Sequence, residues 1–136
     1  MQSVNYTFFD KDDDFDVEAL IGGQRVGSAQ GLRDGDRVHL ADIRIDDPPR
    51  RRVGLIASLF GAKAPRPLRR QGIGTELLKR FLGEADARGV REIWGEVTKH
   101  DASDWLLNWY RKHGFVVEDP DKNCMENTAK KVVRRR

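Results

Sequence analysis

Short period-two runs joined by tight-turn dipeptides constrain this chain most. Phe15, Val17, Ala19 and Ile21 alternate with Asp16, Glu18 and Leu20, and Gly22-Gly23 then joins that run to another from Gln24 to about Gln30. Alternation places successive side chains on opposite faces of a strand, and a glycine pair supplies the positive φ angles of a two-residue hairpin. Asp34-Gly35 marks a second turn, before a run from Arg37 to Ile45. With Val4 to Asp10 in front and Lys11 to Asp14 as a polar turn, four sequential strands are predicted to form an antiparallel meander. Beyond them the pattern predicts helix 72–88, strand 91–98, helix 102–113, and strands near 115–118 and 124–133. The expectation is an α+β domain spanning 1–136, with a mixed, largely antiparallel sheet of six to seven strands and two main helices.

Composition narrows the class. The chain has 136 residues, 38% of them hydrophobic and 35% charged, which fits a well-solvated domain with a real core. No apolar run approaches a membrane span and no signal-peptide pattern opens the chain, so a cytoplasmic protein is expected. One cysteine, Cys124, excludes an internal disulfide framework, and with three scattered histidines it offers no metal-ligand spacing. No metal is expected.

Net charge is +3, but it is segregated. Six acidic residues lie between Asp10 and Glu18, whereas Arg50 to Arg70 holds seven basic residues and no acidic one. Lys130, Lys131 and Arg134 to Arg136 form a further basic cluster. Such runs are usually solvated faces or frayed tails, though a basic segment beside a phosphate site also attracts polyanions.

The strongest chemical signal is Arg69-Arg70-Gln71-Gly72-Ile73-Gly74-Thr75, at the start of the first helical run. Two glycines permit a tight turn, and the helix after it points unpaired N–H groups and a positive dipole end at whatever fills the turn. That suits a phosphate or pyrophosphate. A P-loop is excluded because Thr75 and Glu76 follow Gly74, and the dinucleotide fingerprint fails because Leu77 stands where its third glycine belongs. What remains is Arg-x-x-Gly-x-Gly. Downstream, Tyr110-Arg111-Lys112-His113-Gly114-Phe115 reads as a helix end, with Gly114 at the C′ position and basic residues in the last turn, followed by a strand.

Together these two motifs resemble the GNAT superfamily of N-acetyltransferases, over roughly residues 37 to 133. The resemblance implies acetyl transfer from acetyl-CoA to a primary amine by direct attack. It assigns the pyrophosphate to Arg69, Arg70, Gln71, Gly72, Ile73, Gly74 and Thr75. The pantetheine arm falls to backbone groups of Ile43, Arg44 and Ile45, with Ser103 as a further cofactor contact. Tyr110 matches the family's general acid, which protonates the departing thiolate; the alternative for it is packing between helix and sheet. His39, read in register with Ala41, Ile43 and Ile45, is the candidate base, against an ordinary half-buried histidine. Asp42 and Glu96 compete for that role. Trp94, Trp105 and Trp109 read as core and helix–sheet packing, and Asp101 or Ser103 as the cap of the second helix.

The chain departs from the family in two places. The two helices that usually separate the first two strands are missing, and an acidic turn takes their place. The connection from the fourth strand to the glycine turn is unusually long, and its apolar stretch Val53 to Phe60 predicts that residues 50–68, within a long loop over 46–68, form a wall or lid on the acceptor site. If the acidic turn lies near that site, it favours a cationic amine, whether on a small molecule or on a protein or peptide. A homodimer is compatible with the family. Two other functions stay open: a CoA- or partner-binding domain without turnover, and a nucleic-acid-associated protein using its basic loop and tail.

Overall fold

The computed structural model describes residues 3–46 and 72–136. Among them are seven strands, β1 (Asn5–Phe9), β2 (Asp14–Ile21), β3 (Gln24–Asp34), β4 (Arg37–Ile45), β5 (Glu92–Thr98), β6 (Val116–Glu118) and β7 (Thr128–Arg135), and two helices, α1 (Ile73–Ala87) and α2 (Asp104–Lys112). One sheet runs β1-β2-β3-β4-β5-β7-β6. Every neighbouring pair is antiparallel except β4 and β5. The mixed α+β architecture expected from the sequence is therefore present. No helix interrupts the step from β1 to β2. The last strand begins at Thr128 rather than near 124, because residues 119–127 are taken up by turns.

Alternation builds the helix-bearing face. Phe15, Val17 and Ala19 of β2 are buried and share a face with Gly31, Ala29 and Gly27 of β3, their register partners. Onto this face α1 lays Ile73, Leu77, Leu78, Phe81, Leu82 and Ala85, all buried at helical spacing. Phe81 sits edge-on to Phe15 at 5.1 Å, and a Cβ at Gly31 would lie 2.7 Å from its ring. Only glycine allows the helix that close. Leu106, Leu107 and Tyr110 of α2 join the same core.

One irregularity reshapes β4. Leu40 pairs with Gly31 and Asp42 with Gln30, so Ala41 is an extra residue, a β-bulge. The bulge inverts the alternation. Val38 and Leu40 point to the core before it, and Ile43 and Ile45 take that face after it. His39 therefore faces away from Ile43 and Ile45, which corrects the register expected from the sequence.

The basic carboxy-terminal cluster is not frayed. It lies largely in β7, where Arg134 makes two hydrogen bonds of 3.0 Å to Asp86 of α1 and Arg135 pairs with Glu92 and Glu118.

Candidate active site

β4 and β5 pair only from Arg37 with Glu92 to His39 with Trp94. Past that point, where Ala41 bulges, the strands diverge and leave a cleft of about 890 Å³. Ile43 and Ile45 form one wall and Gly95, Glu96 and Val97 the other, with Tyr110 of α2 also lining it. Gly72, Gly74 and Thr75 close one end.

The wall from β4 offers backbone groups. Asp46 N–H donates to Val26 O at 2.8 Å, on the β3 side. Alternation therefore turns the N–H and C=O of Ile43 and Ile45 toward the cleft, where β5 no longer satisfies them. Arg44, between them, is paired with Ser28 of β3, and its guanidinium lies 3.7 Å from Asp42. An extended amide chain could pair with Ile43 and Ile45 as an added strand.

Gly72 caps α1 in the left-handed region, at φ 71° and ψ 25°, with no side-chain hydrogen bond to the first turn. A residue with a Cβ is strained there. Ile73 is buried in the core, so only its backbone belongs to the turn. Thr75 Oγ1 accepts a hydrogen bond of 3.0 Å from Trp109 Nε1, tying the first turn of α1 to α2. Arg69, Arg70 and Gln71 lie outside the described residues, as does the segment 50–68 expected to form a wall or lid; of the longer loop 46–68 only Asp46 is described. Asp46 itself is buried against Arg25 at 3.0 Å.

Ser103, not Asp101, caps α2, its Oγ accepting from Leu106 N–H at 3.1 Å. That hydroxyl is committed to the helix although Ser103 lines the cleft. Tyr110 packs edge-on to Trp109 and Phe115, at 5.1 and 5.3 Å. Burial, followed by the charges of Asp42 and Asp101, pushes its phenol up to about 12. It is thus a protonated donor throughout the physiological range.

His39 does not line the cleft. It stacks on Trp94 at 4.0 Å with the planes 11° apart, on the face opposite the helices. Burial lowers its pKa, partly offset by the charge of Glu96. Glu96 does line the cleft and accepts from Thr128 Oγ1 at 2.7 Å and Met125 N–H at 2.8 Å. Burial works against its ionised form, but these hydrogen bonds and the nearby His39 outweigh it and hold the carboxyl below its usual range.

Two further expectations need correction. The acidic turn is distant from the cleft: Asp10 contacts Arg88 at the carboxy-terminal end of α1, whereas the cleft opens at its amino-terminal end. The 15 residues of α1 separate them by about 22 Å. Trp105 is not core but 72% exposed, and Trp94 packs on the helix-free face. The Thr75–Trp109 hydrogen bond was not foreseen; it joins residues 34 apart, beyond the reach of any local pattern.

A bulged, splayed pair of parallel strands above a glycine-started helix defines an acyltransferase-type fold, which many solved structures share. PaiA N-acetyltransferase from Thermoplasma acidophilum, in complex with coenzyme A, superposes with a TM-score of 0.60 at 16% identity, over 91% of this chain and 62% of that one. Nourseothricin acetyltransferase gives 0.59 at 20% identity, over 90% and 65%. The ribosomal-protein-S18-alanine N-acetyltransferase from Escherichia coli gives 0.60 at 17% identity, over 90% and 68%. The chain spans less than two thirds of the first two relatives, and at these identities the likeness concerns the fold. No curated protein sequence matches. The model of the Acetyltransferase (GNAT) family matches residues 2–115, and the chain belongs to that family.

Proposed function

We propose that this chain is an acetyl-CoA-dependent N-acetyltransferase acting on a primary amine. The observation that carries the reading is Tyr110 lining a cleft that ends at a helix start with no side-chain cap among the described residues. The pantetheine arm pairs with the backbone of Ile43 and Ile45, and the pyrophosphate takes the N–H groups of Gly72 to Thr75, with Arg69, Arg70 and Gln71 leading into that turn. The amine nitrogen attacks the thioester carbon and the C–S bond breaks. Tyr110 gives its proton to the leaving thiolate and regains one from the amine nitrogen through solvent. Glu96 is the carboxylate on the β5 wall and suits holding the acceptor ammonium, which gives up one proton to solvent before its lone pair attacks. His39 stands on the same helix-free face as Glu96 by strand alternation, but off the cleft. The whole chain acts as one catalytic domain, and its one cysteine suits a reducing cytoplasm.

Calorimetric binding of acetyl-CoA, then thiol release with a panel of peptides, polyamines and amino sugars, tests this directly. A second reading, donor binding without turnover, is favoured by the placement of His39 off the cleft. Tight acetyl-CoA binding with no thiol release across the panel would establish it. Exchanging His39→Asn and Glu96→Gln separates the two candidate proton acceptors. Glu96→Gln is expected to lower kcat/KM more, and an acid limb removed only by His39→Asn would return the base role to the histidine.

A further inference from the structure

The exposed Trp105 calls for a ligand. Among the described residues it is one of the few large apolar side chains left in solvent, at 72% exposure, and it stands on α2 one turn before Trp109. The two indole planes are within 10° of parallel, with centroids 6.4 Å apart. Trp109 is fixed from behind by its hydrogen bond to Thr75, so the pair is held beside the first turn of α1. Both tryptophans line the cleft, and both also line a second hollow of about 490 Å³ on the outer side of α2. The cleft and the hollow thus share a wall.

The two spaces differ in charge. Asp42, Glu96 and Asp101 line the cleft, whereas the hollow is completed by Asn108, Arg111 and Lys112 with no carboxylate. Arg111 Nη1 donates to Asn108 Oδ1 at 2.7 Å, which aligns its guanidinium along the helix. Neither Arg111 nor Lys112 forms an ion pair among the described residues. An aromatic plane beside two unpaired cations suits a nucleobase carrying phosphate.

We infer that Trp105 is a stacking platform for the adenine of the acyl-CoA donor, and that Arg111 and Lys112 bind its ribose 3′-phosphate. The inference rests on the donor proposed above and adds its far end. The order of chemical groups along the donor matches the order along the protein. The thioester lies by Tyr110, the amide arm by Ile43 and Ile45, the pyrophosphate at Gly72 to Thr75, and the adenosine 3′-phosphate beyond Trp109. A flat indole recognises the base by its π-face, and Arg111 and Lys112 distinguish the 3′-phosphate from a bare ribose.

The test is calorimetric titration of the full chain with CoA, dephospho-CoA and 4′-phosphopantetheine. Trp105→Ala is expected to weaken CoA and dephospho-CoA by roughly 5- to 150-fold, the range for loss of one base stack, and to leave 4′-phosphopantetheine unchanged. Trp105→Phe should recover most of that loss. Arg111→Ala with Lys112→Ala should weaken CoA while sparing dephospho-CoA. CoA binding to Trp105→Ala with wild-type affinity would overturn the inference, as would an equal loss for 4′-phosphopantetheine. Wild-type chain that binds neither CoA nor 4′-phosphopantetheine would instead overturn the donor reading beneath it.

Discussion

The two ends of α1 are finished in opposite ways. At its carboxy-terminal end, Arg88 pairs with Glu84 and Asp10 and covers the Phe8 ring, while its carbonyl accepts from Arg33 at 3.1 Å. Asp86, two residues earlier, is held by Arg134. At the amino-terminal end Gly72 supplies no side-chain cap, and the first turn opens on the cleft. One end is satisfied by the protein itself. At the other, no side chain among the described residues caps the first turn, and such donors suit an anion.

The comparison can be broken at its centre first. Phe81→Ala removes the ring that seats α1 on Gly31 and Phe15, and should cost about 3–5 kcal/mol in urea unfolding. Both ends should be lost in one transition. Next come two glycines in the same left-handed region, Gly72 at φ 71° and Gly89 at φ 73°, each with open space where a Cβ would stand. Alanine at either should cost roughly 1–2 kcal/mol of stability. Only Gly72→Ala should also weaken acetyl-CoA binding; equal losses of affinity would deny any difference between the ends. Thr75→Val leaves Trp109 Nε1 without its partner, at about 1 kcal/mol.

The smallest effect concerns acid at the closed end. The hydrogen bonds from Arg134 lead the causes that hold the Asp86 pKa below its usual value. The folded state therefore binds fewer protons there than the unfolded chain. The stabilisation is complete above the unfolded value of 3.8 and fades as pH falls through the depressed folded value. For so exposed a pair it should not exceed about 1 kcal/mol. Asp86→Asn should flatten the acid slope of stability without changing donor affinity.

Much of this was legible in local pattern. The dipeptides Gly22-Gly23 and Asp34-Gly35 place the hairpins, and the helix predicted over 72–88 is α1. The bulge was not legible, because His39-Leu40-Ala41-Asp42-Ile43 reads as ordinary strand. Its extra residue appears only against β3, where Gly31 and Gln30 pair with Leu40 and Asp42. From that one non-local fact follow the wrong side for His39 and the cleft itself. Trp105 misled for a similar reason: four residues before Trp109 it has core spacing, but α2 presents only part of that stripe to the sheet. The acidic turn was misplaced because its distance from the cleft depends on the direction of α1, not on any residue within the turn.

The role of Tyr110 is the claim on which the account turns. Thiol release by Tyr110→Phe, measured beside acetyl-CoA affinity on the same protein, tests it most directly. The account predicts turnover lowered about 10²- to 10⁴-fold, the usual worth of a positioned general acid, with affinity little changed. Equal turnover in the variant and the wild type would contradict it.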